Sequence, residues 1–240
     1  MRWRGLCLAL AAVVWSPRAA GLQSGRVPTV GRLGSRPWSG GVSPLGAGAG
    51  LGEPICEYHE VAVRTSLPGP PRQEVTVEDL TPVLRELLEA SGLQQGWVNV
   101  ISRHTTTAVT INEWESRLVA DVRRWLLDLA PPDDRSAVGQ HGKGVAYAHN
   151  DIDQRPDSED ERQRCLENGW DITDEAELER WRAQEPINAH SHLLSMLLGS
   201  SETIPVAGGA MVLGQWQSVM LVDLDGPRDR TVGIQVMGFR

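Results

Sequence analysis

The first acidic residue of this 240-residue chain is Glu53, and that decides how much of the sequence is available to build a fold. Residues 1–52 hold six arginines and no carboxylate. Arg2 and Arg4 precede an apolar run from Gly5 to Trp15, followed by small residues around Ala19 and Ala20, which is the layout of a secretory signal peptide. That run is too short to cross a bilayer. Residues 21–52 continue rich in Gly, Ser, Arg and Pro and still lack acids, as an organelle transit peptide does. Two readings stay open. One is a bipartite leader, 1–20 followed by 21–52, that directs import into a plastid wrapped in extra membranes. The other is a plain secretory signal with a disordered linker and a secretory-pathway destination. Either way, folding is expected of residues 53–240.

Six of the 23 basic residues lie in the leader, so the body keeps 17 against 31 acids, a net charge of −14. Such a surface repels a phosphate backbone, which excludes nucleic acid as the expected partner. The body has single-domain size and no apolar segment long enough to span a membrane. Cys7 leaves with the leader, and Cys56 and Cys165 show no CxxC spacing, so both read as ordinary thiols.

Residues 55–64 alternate as a strand does, and the Pro/Gly cluster at 68–71 ends the segment. A helix is expected next, opened by a capping box of Thr76 and Asp79, carrying Leu80, Leu84, Leu87 and Leu88 on one stripe and closed by Gly92. Residues 96–101 and 105–111 are β-rich. Residues 114–129 return to helical spacing with Leu118, Val122, Trp125 and Leu129 on one side, and Pro131-Pro132 stops them. The stretch 151–186 is strongly acidic, includes a short helix near 174–183 and reads as a surface insertion. It is either a solvated lid or a partner-docking segment anchored by Trp170 and Trp181. A helix over His190–Leu198 ends at Gly199, and strands over 210–224 and 231–238 are joined by Asp225-Gly226-Pro227. Helices and strands mix without regular βαβ alternation, so the expected class is α+β.

Three histidines stand in distinctive phrases: His104 in HTTTAVTINE, His149 in YAHND and His192 in NAHSHLLSMLLGSS. Imidazole moves protons and ligates metals near neutral pH, so three of them suggest one polar pocket. With a water in the remaining position they would hold a divalent metal, Zn or Mg, oriented by Glu113, Asn150 or Asp151. Ordinary hydrogen-bonded histidines are the competing explanation. His190 and His192, two apart on a helix, point in different directions. The Gly199-Ser200-Ser201 loop offers backbone N–H groups and hydroxyls to a phosphate. Thr105, Thr106 and Thr107 serve strand propensity, or one of them touches an anion beside His104. Trp216 is expected to pack and Gln217 to face the pocket, while His59 and His141 are read as surface residues. Lys143 is the single lysine of the body, and Arg103 the only basic residue beside a motif.

HTTTAVTINE, YAHND, SHLLSMLLGSS followed by TIPV, and LGQWQSVMLVD before a closing VGIQVMG strand resemble the YjbQ family, over residues 55–150 and 187–238. The resemblance implies a compact sandwich of mainly antiparallel strands with helices, assembled as a homotrimer with histidine-lined pockets near subunit boundaries. It also implies a secondary thiamine-phosphate synthase activity, joining a pyrimidine pyrophosphate to a thiazole phosphate. Family positions fall on His104, His149, His192, Asn112, Glu113, the Gly199-Ser200-Ser201 loop, Trp216 and Gln217. Residues and resemblance together assign catalysis to His104, His149, His192, Glu113 and Asp151. Contacts to a small phosphorylated substrate fall to Thr105, Asn112, Asn150, Gly199, Ser200, Ser201 and Gln217. The alternative is a non-catalytic homotrimer that binds a metal or a metabolite. The long acidic insertion departs from the family pattern.

Overall fold

The computed structural model describes residues 52–65, 74–135 and 144–240. The leader up to residue 51, the Pro/Gly cluster at 68–71, His141 and Lys143 lie outside the described residues. The body is an α+β sandwich in which every strand pairing is antiparallel. Strands β1 (Pro54–Arg64), β3 (Gln95–Ser102), β5 (Ser201–Ala207), β6 (Ala210–Met211) and β8 (Asp229–Phe239) form one sheet in the order β1-β8-β3-β5-β6. Strands β2 (Glu74–Asp79), β4 (Thr107–Glu113) and β7 (Gln217–Gly226) form the second, in the order β2-β7-β4.

Strand β7 explains the layering. Its VMLVDL run is apolar at nearly every position, the pattern of a strand covered on both faces. Val219 and Leu221 point into the core between the sheets, with Val98, Val100, Ile204, Val206, Val232, Ile234 and Val236 from the larger sheet. Met220, Val222 and Leu224 point the other way, into a second core shared with Leu126 and Leu194. Those two leucines belong to helices α2 (Ser116–Leu129) and α5 (Ala189–Leu198), which cover the outer face of the small sheet. Helix α1 (Thr81–Ser91) contributes Leu84 and Leu88 to the inter-sheet core.

Several expectations need correction. Thr76 does not open a helix: it lies in β2 opposite Asp223, and helix α1 begins after Leu80, with Pro82 in its first turn and Gly92 at φ 69° closing it. The first turn of α1 is held instead by the Asp79 carboxylate, which accepts from the Thr81 N–H at 2.9 Å. On α2, Trp125 and Leu129 are exposed and Leu126 is the buried residue, so the inward stripe is rotated from the expected one. Strand β4 starts at Thr107, because Thr105 and Thr106 lie in the preceding turn. His59 is half-buried, its Nε2 3.5 Å from Glu57 Oε2. Trp216, expected to pack, is 68% exposed within this chain.

The acidic insertion is folded. Besides the expected helix, α4 (Glu175–Gln184), it contains α3 (Glu159–Glu167), whose low apolar content hid it from periodicity. Ser158 and Asp174 cap the two helices by accepting from Glu161 N–H at 3.2 Å and Glu177 N–H at 2.9 Å. Carboxylates fill the first turn of each, where the helix dipole favours them. Cys165 and Trp181 are buried between the helices, so Trp181 is core rather than an exposed docking anchor. The Arg155 guanidinium lies 5.5 Å from the Trp181 ring centroid, donates to Glu161 Oε1 at 2.7 and 2.9 Å, and meets Glu185 at 3.2 Å.

The Asp225-Gly226-Pro227 turn does not form a hairpin. It carries the chain from the small sheet into the large one, and a buried ion pair fixes the passage. Asp223, fully buried, accepts from Arg230 Nε at 2.9 Å and from the Thr65 hydroxyl at 2.7 Å. Removing one partner of such a pair strands a buried charge, which costs about 3–5 kcal/mol. Asp223→Ala is therefore expected to lower unfolding free energy in urea by about that amount. Asp223→Leu combined with Arg230→Met should recover a large part of the loss, and a double variant no more stable than Asp223→Ala would contradict this account.

Candidate functional site

The polar residues of the body collect where β7 ends. Helix α5 is set down on the small sheet by two serines one turn apart. The Ser191 hydroxyl donates to Leu224 O at 2.6 Å and the Ser195 hydroxyl to Thr107 O at 2.7 Å. The start of α5 is tied in as well: Asn188 donates to Asp225 Oδ2 at 2.8 Å, and the Ala189 N–H donates to Asn150 Oδ1 at 3.1 Å. Asn150 in turn donates to Asp133 Oδ2 at 3.0 Å. Asp133 also receives the Arg135 guanidinium at 2.9 Å and the Tyr147 N–H at 3.1 Å, and these donors hold its carboxyl well below the ordinary range against the opposing effect of burial. This chain of contacts sets the one-turn 3₁₀ segment Ala148–Asn150 against α5.

The result is a histidine pair. The rings of His149 and His192 meet edge to face, centroids 4.8 Å apart at 69°. Burial lowers the His192 pKa below 6.5, and the neighbouring His149 lowers it further. His190, two residues earlier, points into the interior instead: it is 1% exposed, and its Nδ1 has no hydrogen-bond partner. Its pKa is also lowered by burial, although Asp225 and Asp133 pull the other way. His149 opens onto a cleft of about 730 Å³ whose other walls come from the insertion, including Arg155, Arg164, Trp170, Trp181 and Glu185.

His104 occupies a different position. Its Nε2 accepts from the Thr231 N–H at 2.8 Å, which leaves Nδ1 to carry the proton. Burial lowers its pKa, followed by the adjacent Arg230 charge. A ring whose Nε2 lone pair is already engaged is poorly suited to ligate a metal. Among the described residues no group of three or more His, Cys, Asp and Glu is disposed to hold one. The three histidines therefore do not fit a shared metal ion within this chain.

The remaining candidates divide. Asn112, Glu113 and Gln217 lie at the far end of the small sheet. Thr107 pairs with Asp223 and Glu113 with Gln217, so six residues, about 20 Å of strand, separate the two ends. Asn112 Oδ1 accepts from the Glu113 N–H, and Gln217 Oε1 from the Gly214 N–H. Asp151 is paired with Arg135 at 2.6 Å. Thr105 is exposed in the turn after His104. In the Gly199-Ser200-Ser201 loop, Gly199 O accepts from Val109 N–H, Ser200 O from Ser102 N–H and Ser201 Oγ from Asn99 Nδ2, so the loop stitches β3 and β4 together. Asn188, Asp133, Asp225 and Arg155 escaped the motif reading. Two aspartates inside the apolar VMLVDLDG run were the available signal, because a charge in a doubly covered strand demands a partner.

A profile described as "UPF0047 protein YjbQ-like" matches residues 70–239, limits that enclose the acidic insertion. The chain belongs to the YjbQ family. A UPF0047 protein of Methanothermobacter thermautotrophicus is 35% identical over 179 residues, which is 75% of this chain and 90% of that one. The UPF0047 protein YugU of Bacillus subtilis is 25% identical over 67% of this chain and 88% of its own length. Among solved structures, a hypothetical protein of Aeropyrum pernix K1 superposes with a TM-score of 0.52 at 28% identity, covering 77% of this chain and 99% of that one. A YbjQ-like protein of unknown function from Sulfolobus solfataricus P2 shares the fold, with a TM-score of 0.55 at 24% identity over 78% of this chain and 99% of its own.

For this YjbQ-family chain the lowered histidine pKa values carry a sign. His104, His190 and His192 bind protons less readily folded than unfolded, so their contribution to stability is full above pH 6.5 and is lost as pH falls through the lowered values. Urea unfolding at pH 7.5 and 5.0 should show that loss, and His190→Gln should reduce it. In NMR titrations His192 should protonate below the ordinary histidine range and move up toward it in His149→Gln. An unmoved His192 would show that the two rings are not coupled.

Proposed function

We propose that this chain is a small-molecule transferase of the thiamine-phosphate synthase type, with His149 and His192 at its centre. In that reaction the thiazole nitrogen supplies its electron pair to the pyrimidine methylene carbon. The new C–N bond forms as the C–O bond to pyrophosphate breaks, and pyrophosphate carries away the electron pair. No proton has to be exchanged in the bond-making step. The protein's work is to hold two ligands in line and to stabilise the charge of the departing group.

The observation that supports this reading is the edge-to-face pair of imidazoles, of which His149 lines the 730 Å³ cleft and His192 packs behind it. A neutral imidazole donates one hydrogen bond and accepts another, so such a ring can hold a phosphate oxygen or a ring nitrogen. His192 is kept neutral by burial and by its neighbour. His104 serves the site indirectly, by fixing Thr231 and the start of β8.

The chain also carries a surface suited to self-association, in keeping with a homotrimer. Trp125 and Leu129 of α2 and Leu193, Met196 and Leu197 of α5 are exposed, Met196 at 80%, and the last four line a shallow apolar hollow. Contiguous apolar surface of this kind marks contact sites. Met196→Lys with Leu197→Glu is expected to turn a self-associating protein into monomers by sedimentation velocity.

The test of the reaction is direct. Purified protein given the pyrimidine pyrophosphate and the thiazole phosphate should form thiamine phosphate and pyrophosphate in equal amounts. His149→Ala and His192→Ala should each lower the rate by about 100-fold or more, as loss of a donor to the departing charge does, with the fold intact by circular dichroism. A wild-type rate no higher than buffer, together with retained binding of either substrate, would favour the non-catalytic binding protein instead.

A further inference from the structure

The insertion cleft holds more chemistry than the histidine pair uses. A volume of about 730 Å³ suits a metabolite-sized ligand. Of its lining residues Ala148 and His149 precede the insertion, and the others, from Arg155 to Glu185, belong to it. Trp181 and Cys165 are buried in the floor, and Trp170 is a half-buried wall.

The charges of the cleft sort themselves by partner. Arg155 is committed to Glu161 and Glu185, and that trio leaves one negative charge in the wall. Arg164 lines the same cleft and is exposed; its carbonyl accepts from the Asn168 N–H at 3.1 Å and its charge acts on Glu161, while its guanidinium makes no hydrogen bond or ion pair to another described residue. The Asp157 carboxylate is likewise uncommitted among the described residues, its backbone N–H alone being used, by Glu161 at 3.2 Å. The cleft therefore presents one spare guanidinium, one spare carboxylate, an indole and an imidazole. A ligand that matches all four is planar, carries an anionic group, and is positively charged or electron-poor in its ring. Arg binds phosphate with paired donors, and indole stacks best on an electron-poor or cationic ring.

We propose that the insertion cleft is the binding site for a planar heterocycle bearing a phosphate, with the ring against Trp170, the phosphate on Arg164 and Asp157 beside the ring. The insertion is then the specificity-determining wall of the site, and His149 is the lining residue of the YAHND phrase at which it meets the rest of the chain. This deepens the transferase reading and takes its substrate class from it, but it assigns the contacts to residues that reading does not require.

The probe is thiamine monophosphate, a cationic ring with a phosphate, titrated calorimetrically into the full chain. Thiamine and inorganic phosphate, each offering half of the recognition, serve as comparisons. Wild type should bind the monophosphate saturably and more tightly than either half. Arg164→Gln and Trp170→Leu should each weaken it about tenfold, the equivalent of about 1.4 kcal/mol, with melting temperatures unchanged because Arg164 is exposed and Trp170 only half-buried. Arg164→Gln should act on the monophosphate and on phosphate but not on thiamine. Wild-type affinity in both variants, or no saturable binding by wild type, overturns the proposal. The two readings fail separately. Turnover lost in His149→Ala but affinity and KM unchanged in Arg164→Gln and Trp170→Leu would remove the cleft and leave the histidine pair. Weakened binding in the cleft variants with no turnover by wild type would do the reverse.

Discussion

The Asp223–Arg230 pair is the contact on which the rest of the body depends. It lies where β7 leaves the small sheet and β8 enters the large one, and it binds more than those two strands. Through its carboxylate it holds Thr65 at the end of β1. Through its guanidinium it reaches Thr106 in the turn before β4 and the carbonyl of Asp225. The Thr231 N–H beside it is held by His104, and the Leu224 N–H by Thr106 O. Two sheets stacked face to face are held by apolar area that tolerates sliding, whereas a two-point ion pair in a dry interior tolerates very little. The cost of desolvating both charges is offset only in that one arrangement, so the pair fixes how the sheets are joined as well as contributing to their stability.

That constraint is carried on to the candidate site. Asp225, two residues along the same strand, receives Asn188, so the start of α5 inherits its position from the crossover. Asn150 then links α5 to Asp133, and the Ala148–Asn150 segment brings His149 to His192. The histidine pair is thus the last link of a polar chain that begins at a buried ion pair. Asp223, Asp225, Asn188 and Asn150 are buried, where a hydrogen-bonded geometry is well held, and only His149 at the end of the chain is exposed.

The strands and helices of the body were legible in the sequence where one period dominated. β1, α1, α5 and the Gly92 stop follow from alternation, from the leucine stripe and from a glycine in the left-handed region. Helix α3 was not legible, because its nine residues are nearly all polar and its stability comes from Ser158, the helix dipole and packing around Cys165. The inward face of α2 was misplaced for a related reason: both faces carry large apolar residues, and periodicity cannot say which one meets the sheet. At the site, phrase and spacing identified His149 and His192 but could not separate them from His104, since tautomer and partner are set by tertiary contacts. They also grouped Asn112, Glu113 and Gln217 with the histidines, although within one chain the length of a strand divides them.

A body of net charge −14 is an unexpected place to find three histidines with lowered pKa values, since surrounding carboxylates would raise them. The resolution lies in where the acids are. Thirteen of the 31 lie in the insertion, nine of them exposed and screened by solvent. The buried ones are already spent: Asp223 on Arg230 and Asp133 on Arg135, with Asp225 receiving Asn188 and Arg228. Burial therefore outweighs the remaining attraction at each ring. The insertion repeats the same economy on the cleft wall, where Arg155 meets two glutamates and leaves the Arg164 guanidinium and the Asp157 carboxylate without a hydrogen bond or ion pair among the described residues. An acidic domain can in this way keep the half-buried His192 ring short of protons next to a cleft whose unpaired guanidinium is the group a phosphate-bearing ligand would meet.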